Sequence, residues 1–204
     1  MNARFKLLAL ISAVSVFSAF HAKADTVVYD NGPINGTINA WSINNGFSVS
    51  DSFTVASDAA LTSATVGLWT SGTPLSLAWS IGTTVFGSEI SSGIATLTNS
   101  YLSDYWGYSI YESSFAINGE VSVGTYYLTL SNASSSDQSY VYWDQNNGPS
   151  TAKQNLNGEP SSDPYGSHSF KLESGSSVPD SGTTLALFGA ALVSLVAFRR
   201  RFAA

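Results

Sequence analysis

The chemistry this chain concentrates is that of aromatic side chains set beside amides and carboxylates. Tyr101, Tyr105, Trp106, Tyr108 and Tyr111 fall within eleven residues around Asp104 and Gly107, and Tyr140, Tyr142 and Trp143 run directly into Asp144-Gln145-Asn146-Asn147-Gly148. Flat rings give the apolar face of a sugar a stacking surface, while neighbouring polar groups bond its hydroxyls. Tyr105, Trp106, Tyr108, Tyr111 and Trp143 are therefore the candidate glycan-binding residues. The competing reading packs Trp106 and Trp143 between sheets, where tryptophans of β-sandwiches commonly sit.

Other chemistries find less to work with. Past the first 24 residues the chain has one histidine, His168, and no cysteine, so a zinc site of the usual nitrogen and sulfur ligands is not expected. No G-x-S-x-G elbow is present, and a Ser-His-Asp hydrolase would have to recruit His168, which shares an alternating face with Phe170 and is expected half-buried or solvated. Glycoside hydrolysis needs two carboxylates about 5 to 9.5 Å apart. Asp104 and Glu112 flank a loop and are the pair that could face one another, but solvated surface charge is the simpler reading. No catalytic residue is assigned. No cofactor is expected beyond a structural calcium ion, which acidic loops and carbonyls can hold without the Asp-x-Asp-x-Asp-Gly pattern absent here.

The elements that must position these residues read as strands. Leu75, Leu77, Trp79 and Ile81 alternate with small residues up to Gly82, the period of a strand with one buried face. Similar runs cover 26–29, 50–55, 62–69, 84–86, 93–98, 108–117, 125–130, 140–144 and 168–172, separated by Asn45-Gly46, Asn118-Gly119, Asn147-Gly148 and Asn157-Gly158 turn signals. An all-β antiparallel sandwich or jelly roll of about ten short strands is the expected architecture of residues 25–173.

The two ends are of another kind. Arg4 and Lys6 precede an uncharged run from Leu7 to Phe20 that closes on Ala22-Lys23-Ala24, the three-part pattern of a secretory signal peptide over residues 1–24, with Ala22 and Ala24 at the positions a signal peptidase reads. After a polar linker at 174–177, residues 181–198 carry no charge and Arg199, Arg200 and Arg201 follow. As a helix this segment is about 27 Å long, against a bilayer core of about 30 Å. The arginines hold its far end in the cytoplasm and leave everything before Ser181 outside.

Val178, Pro179, Asp180, Ser181 and Gly182 stand just before that segment. A short Pro-containing motif, a transmembrane helix and a terminal arginine cluster, in that order, resemble the PEP-CTERM class of sorting signals, in its VPDSG form, over residues 178–204. The resemblance implies a bacterial exported protein, anchored transiently in the inner membrane and cut near the motif by an exosortase. The product is then released or transferred to the cell surface or an exopolysaccharide matrix. Asp180 and Ser181 replace the second and third positions of the commoner Pro-Glu-Pro motif, which leaves the scissile bond open. Ser52-Phe53-Thr54-Val55, residues 124–130 and Ser169-Phe170-Lys171-Leu172 are similar to the sandwich domains that accompany such tails.

Charge supports the same division. The chain of 204 residues has 8 basic and 14 acidic side chains, a net charge of −6. Six of the basic residues lie in the two ends, so residues 25–180 set all 14 acids against Lys153 and Lys171, a net charge of −12. Such a surface disfavours nucleic acid and anionic lipid, and the lack of cysteine excludes a disulfide scaffold. The expected function is that of a noncatalytic surface or extracellular-matrix protein associated with exopolysaccharide. The alternatives are a carbohydrate-binding module using the tyrosine and tryptophan cluster, and a polysaccharide hydrolase or lyase.

Overall fold

The computed structural model describes residues 25–160 and 166–175, within one compact unit spanning Asp25–Gly175. The expected signal peptide with Ala22 and Ala24, the motif Val178 to Gly182, the helix 181–198 and Arg199 to Arg201 lie outside the described residues.

Fourteen strands are present among the described residues and no helix. In chain order they are β1 (Thr26–Asp30), β2 (Asn39–Ser42), β3 (Phe47–Val55), β4 (Ala59–Thr70), β5 (Pro74–Gly82), β6 (Ser91–Thr96) and β7 (Thr98–Tyr105). There follow β8 (Tyr108–Val121), β9 (Gly124–Ser135), β10 (Tyr142–Asn146), β11 (Ala152–Leu156), β12 (Glu159–Pro160), β13 (Ser167–His168) and β14 (Phe170–Ser174). They form two antiparallel sheets. One has eight strands, with β4 at its centre bonded to β8 on one edge and to β14 and β10 on the other; the second runs β12-β11-β3-β9-β5-β6.

The inner faces share one core. Ala64, Val66, Leu68, Phe115, Trp143, Phe170 and Leu172 of the first sheet meet Val49, Phe53, Leu77, Trp79, Ile81, Leu128 and Leu130 of the second. Burying such side chains contributes about 1.5–3 kcal/mol each. One polar pair crosses this core: the Asp51 carboxylate of β3 accepts the backbone N–H of His168 at 2.7 Å and stands 3.5 Å from its Nδ1.

The eight-stranded sheet is also covered on part of its outer face. Asp144 accepts the backbone N–H groups of Asn35 at 2.8 Å and Gly36 at 2.9 Å, which ties the stretch before β2 across the sheet. Gly67 is needed beneath it, since a Cβ there would stand 2.8 Å from both Ile34 Cγ2 and Asp144 Cβ.

Several expectations change. Residues 84–86 are not a strand. They belong to a turn closed by Gly87 N–H to Thr84 O at 2.9 Å, with Phe86 at φ 61°. Asn118-Gly119 is not a turn either, because β8 runs through it and absorbs it as a bulge against β4 between Leu61 and Ser63. Leu75 is 47% exposed although Leu77, Trp79 and Ile81 are buried, because two register shifts against β9 break the alternation at the start of β5. β14 extends to Ser174, one residue into the expected linker.

Candidate functional site

The site is built from a hairpin. β7 and β8 are joined by Trp106-Gly107, with φ 49° and 81°, and Tyr105 pairs with Tyr108 as the last rung. Two left-handed residues make a type I′ turn, whose twist matches that of the strands. Glycine suits its position, but a tryptophan in the left-handed region is uncommon. The turn holds the Trp106 ring out at the tip, 84% exposed, where it stacks on Tyr105 with centroids 5.3 Å apart and planes 8° from parallel.

Register decides which rings join them. Ser103 pairs with Ile110, Ile110 with Trp69 and Trp69 with Tyr142, so Tyr105, Tyr108, Trp69 and Tyr142 all project from the outer face of the eight-stranded sheet. Tyr105 meets Trp69 edge-on at 5.7 Å, Tyr108 meets Tyr142 edge-on at 5.4 Å, and Tyr142 stacks on Tyr140 at 5.8 Å. Tyr140 is 45% exposed. The result is a band of rings with Trp106 at one end and Tyr140 at the other.

The band rests on Asp144. Its Oδ1 accepts the Trp69 indole N–H at 2.7 Å, besides the two backbone donors already described. Burial pushes the Asp144 carboxyl up from its ordinary value, against the opposing pull of those donors. Tyr142 is pushed up to about 12, first by burial and then by its hydrogen bond to Tyr108 and the phenols beside it.

Two of the expected glycan-binding residues, Trp143 and Tyr111, do not belong to this face. Trp143 is wholly buried, points to the core opposite Leu68 and donates its indole N–H to Ser169 O at 2.9 Å, so it offers a ligand nothing. Tyr111 is three residues from Tyr108 along β8 and so projects from the opposite side of the hairpin, where a bulge at Leu102 of β7 brings Tyr101 opposite it. There the two rings meet edge-on at 6.0 Å, and a hydrogen bond to Asp104 raises the Tyr101 phenol. Asp104 and Glu112 also project from opposite faces, Asp104 opposite Ser109 and Glu112 opposite Gly67, so they do not face each other. Among the described residues, no three histidine, cysteine or carboxylate side chains converge as metal ligands.

His168 is neither half-buried nor solvated. It is fully buried, with Trp41 at 5.4 Å and Trp143 at 5.0 Å between ring centroids, and neither imidazole nitrogen has a hydrogen-bond partner among the described residues. The expected shared face with Phe170 is present, since both rings meet Trp143, at 5.0 and 5.7 Å, but that face is the core and not a solvated one. Sequence reasoning missed Trp69 as a member of the aromatic band and Asp144 as its support. Position alone offered no signal for either, since both depend on cross-strand neighbours distant in the chain.

The described residues thus define a class: a two-sheet antiparallel β protein with an aromatic band on one outer face. Residues 177–202 match the family model described as the VPDSG-CTERM motif, and this C-terminus is a PEP-CTERM-like exosortase sorting signal. A signal of this kind implies export and membrane-associated sorting. No curated protein matches the chain.

Proposed function

We propose that this protein is a noncatalytic component of the cell surface or extracellular matrix, put in place by an exosortase. The observation that carries the reading is the sorting signal at residues 177–202, which follows a compact β unit of strongly acidic composition. The test is fractionation with and without the exosortase. Loss of the enzyme traps the precursor in the membrane fraction; release at the usual level overturns the assignment.

Within that reading, the aromatic band is the surface that meets exopolysaccharide. What favours this is the 84% exposure of Trp106 in a backbone conformation tryptophan seldom adopts, next to Tyr105 and Tyr108. Affinity-gel mobility in the cell's own polysaccharide is the measurement. Retardation that survives Trp106→Ala combined with Tyr108→Ala removes the band from the contact.

A further inference from the structure

The opposite side of the molecule carries a different feature. On the outer face of the six-stranded sheet lies a concavity of about 410 Å³, floored by strand hydroxyls. Ser48 of β3 stands opposite Ser131 of β9, and Ser80 of β5 opposite Thr129, while Phe47 and Phe86 supply the apolar part of the lining. The volume falls within the range of small-molecule sites, about 300–1,000 Å³.

Its rim is built by left-handed backbone, which glycine and asparagine adopt readily and phenylalanine seldom does. Gly46 at φ 88°, Phe86 at 61°, Asn132 at 47° and Gly158 at 94° all line it. Phe86 is set by two anchors: its N–H donates to Ser50 Oγ at 3.1 Å, and Ser80 Oγ donates to Gly87 O at 2.8 Å. Glu89 fastens the same turn by accepting from Thr83 N–H at 3.1 Å and Thr84 Oγ1 at 2.8 Å. By contrast, Ser48 Oγ, Ser131 Oγ and the Asn132 amide have no hydrogen-bond partner among the described residues.

The lining contains no Asp, Glu, Lys or Arg, although residues 25–180 carry a net charge of −12. Hydroxyls and an amide await both donors and acceptors, two phenyl rings offer apolar contact, and nothing there compensates an ion. An anion would meet an acidic protein with no cation in the lining, Lys153 opposite Ser50 on the same face standing outside it, and a purely apolar ligand would strip water from the serines without return. We infer that this concavity binds an uncharged sugar residue. The site is separate from the aromatic band, which lies on the outer face of the other sheet, and it rests on the surface reading only for the presence of glycans.

The test uses the purified full chain in detergent, in the Trp106→Gly background so that the hairpin tip contributes nothing. Saturation-transfer NMR is run with uncharged oligosaccharides of glucose, mannose, galactose and N-acetylglucosamine, with dextran and mannan as polymers, and with alginate as the anionic comparison. Asn132→Gly and Phe86→Gly keep the positive φ at each position, so each removes a side chain without straining the fold, and the melting temperature checks this. The expected result is binding of at least one uncharged saccharide, weakened at least tenfold by either substitution. Response to oligosaccharides places a free sugar or chain end in the site, and response to polymers alone places an internal residue of a chain. Binding of none of the uncharged probes, preference for alginate, or affinity unchanged in both variants overturns the inference.

Discussion

Asp144 and Trp69 face each other on the outer surface of the larger sheet, the carboxylate Oδ1 accepting the indole N–H at 2.7 Å. They lie 75 positions apart in sequence, on β10 and β4, and their bond joins two functions. Through Trp69 it steadies Tyr105 and the exposed Trp106, and through its other acceptor positions it fastens Asn35 and Gly36 over the sheet.

Removal of that carboxylate is therefore costly. Asp144→Ala leaves three donors without their acceptor, and unfolding in urea is expected to show a loss of about 3 kcal/mol or more. Because burial raises the Asp144 pKa above 3.8, the fold favours the neutral acid. Its contribution is fully present below pH 3.8 and is lost as the pH rises through the raised value. Asp144→Asn is expected to flatten that part of the stability profile, and a profile of unchanged slope would refute the assignment.

Trp106 separates backbone from ring. The left-handed conformation costs an L side chain about 1–2 kcal/mol, and glycine escapes the cost. Trp106→Gly is therefore expected to exceed Trp106→Ala in stability by about 1 kcal/mol by thermal or urea unfolding. Both variants lose the ring, so both are expected to lose the retardation in polysaccharide gels attributed to the band.

The buried pair Asp51 and His168 differ in what they support. Asp51 accepts the backbone N–H groups of both Ser52 and His168 at 2.7 Å, whereas the imidazole donates to nothing among the described residues. Asp51→Ala is expected to destabilise by about 2–4 kcal/mol. His168→Phe keeps ring contact with Trp41 and Trp143 and leaves both backbone donors on Asp51 in place, so it is expected to cost less than Asp51→Ala. Equal losses in the two variants would contradict this division.

Phenol ionisation offers an optical check on the band. Tyr142 is pushed to about 12, so its neutral form is the one the fold favours. That contribution is present below the ordinary value of 10.0 and lost as the pH rises toward 12. An alkaline titration followed at the phenolate absorbance is expected to show a late step that Tyr142→Phe abolishes.

Local patterns carried a good part of the architecture. The alternation of Leu77, Trp79 and Ile81 is the alternation of the core face of β5, and Asn45-Gly46 and Asn157-Gly158 both adopt positive φ. Asn118-Gly119 misled because the same dipeptide can be absorbed as a bulge when a neighbouring strand continues past it, as β4 does. The segment around Asp104, read as a loop, is the strand β7 and its turn, because its partner β8 satisfies its backbone. Strand period alone sets Tyr111 on the face opposite Tyr108, but that Tyr101 joins Tyr111 rather than Tyr105 rests on one bulge at Leu102.

The sequence by itself determined the sorting signal at residues 177–202, a linear motif whose residues lie together in the chain, and the all-β class, which follows from side-chain period and turn residues. Only the tertiary structure decided which rings face outward, that Trp143 is core, that His168 sits by Asp51, and that Ser48 and Ser131 floor a concavity. The reason is pairing: a strand's own period assigns residues to two faces, but which face is inward, and who stands opposite, is set by partners far along the chain and by each bulge that shifts the register.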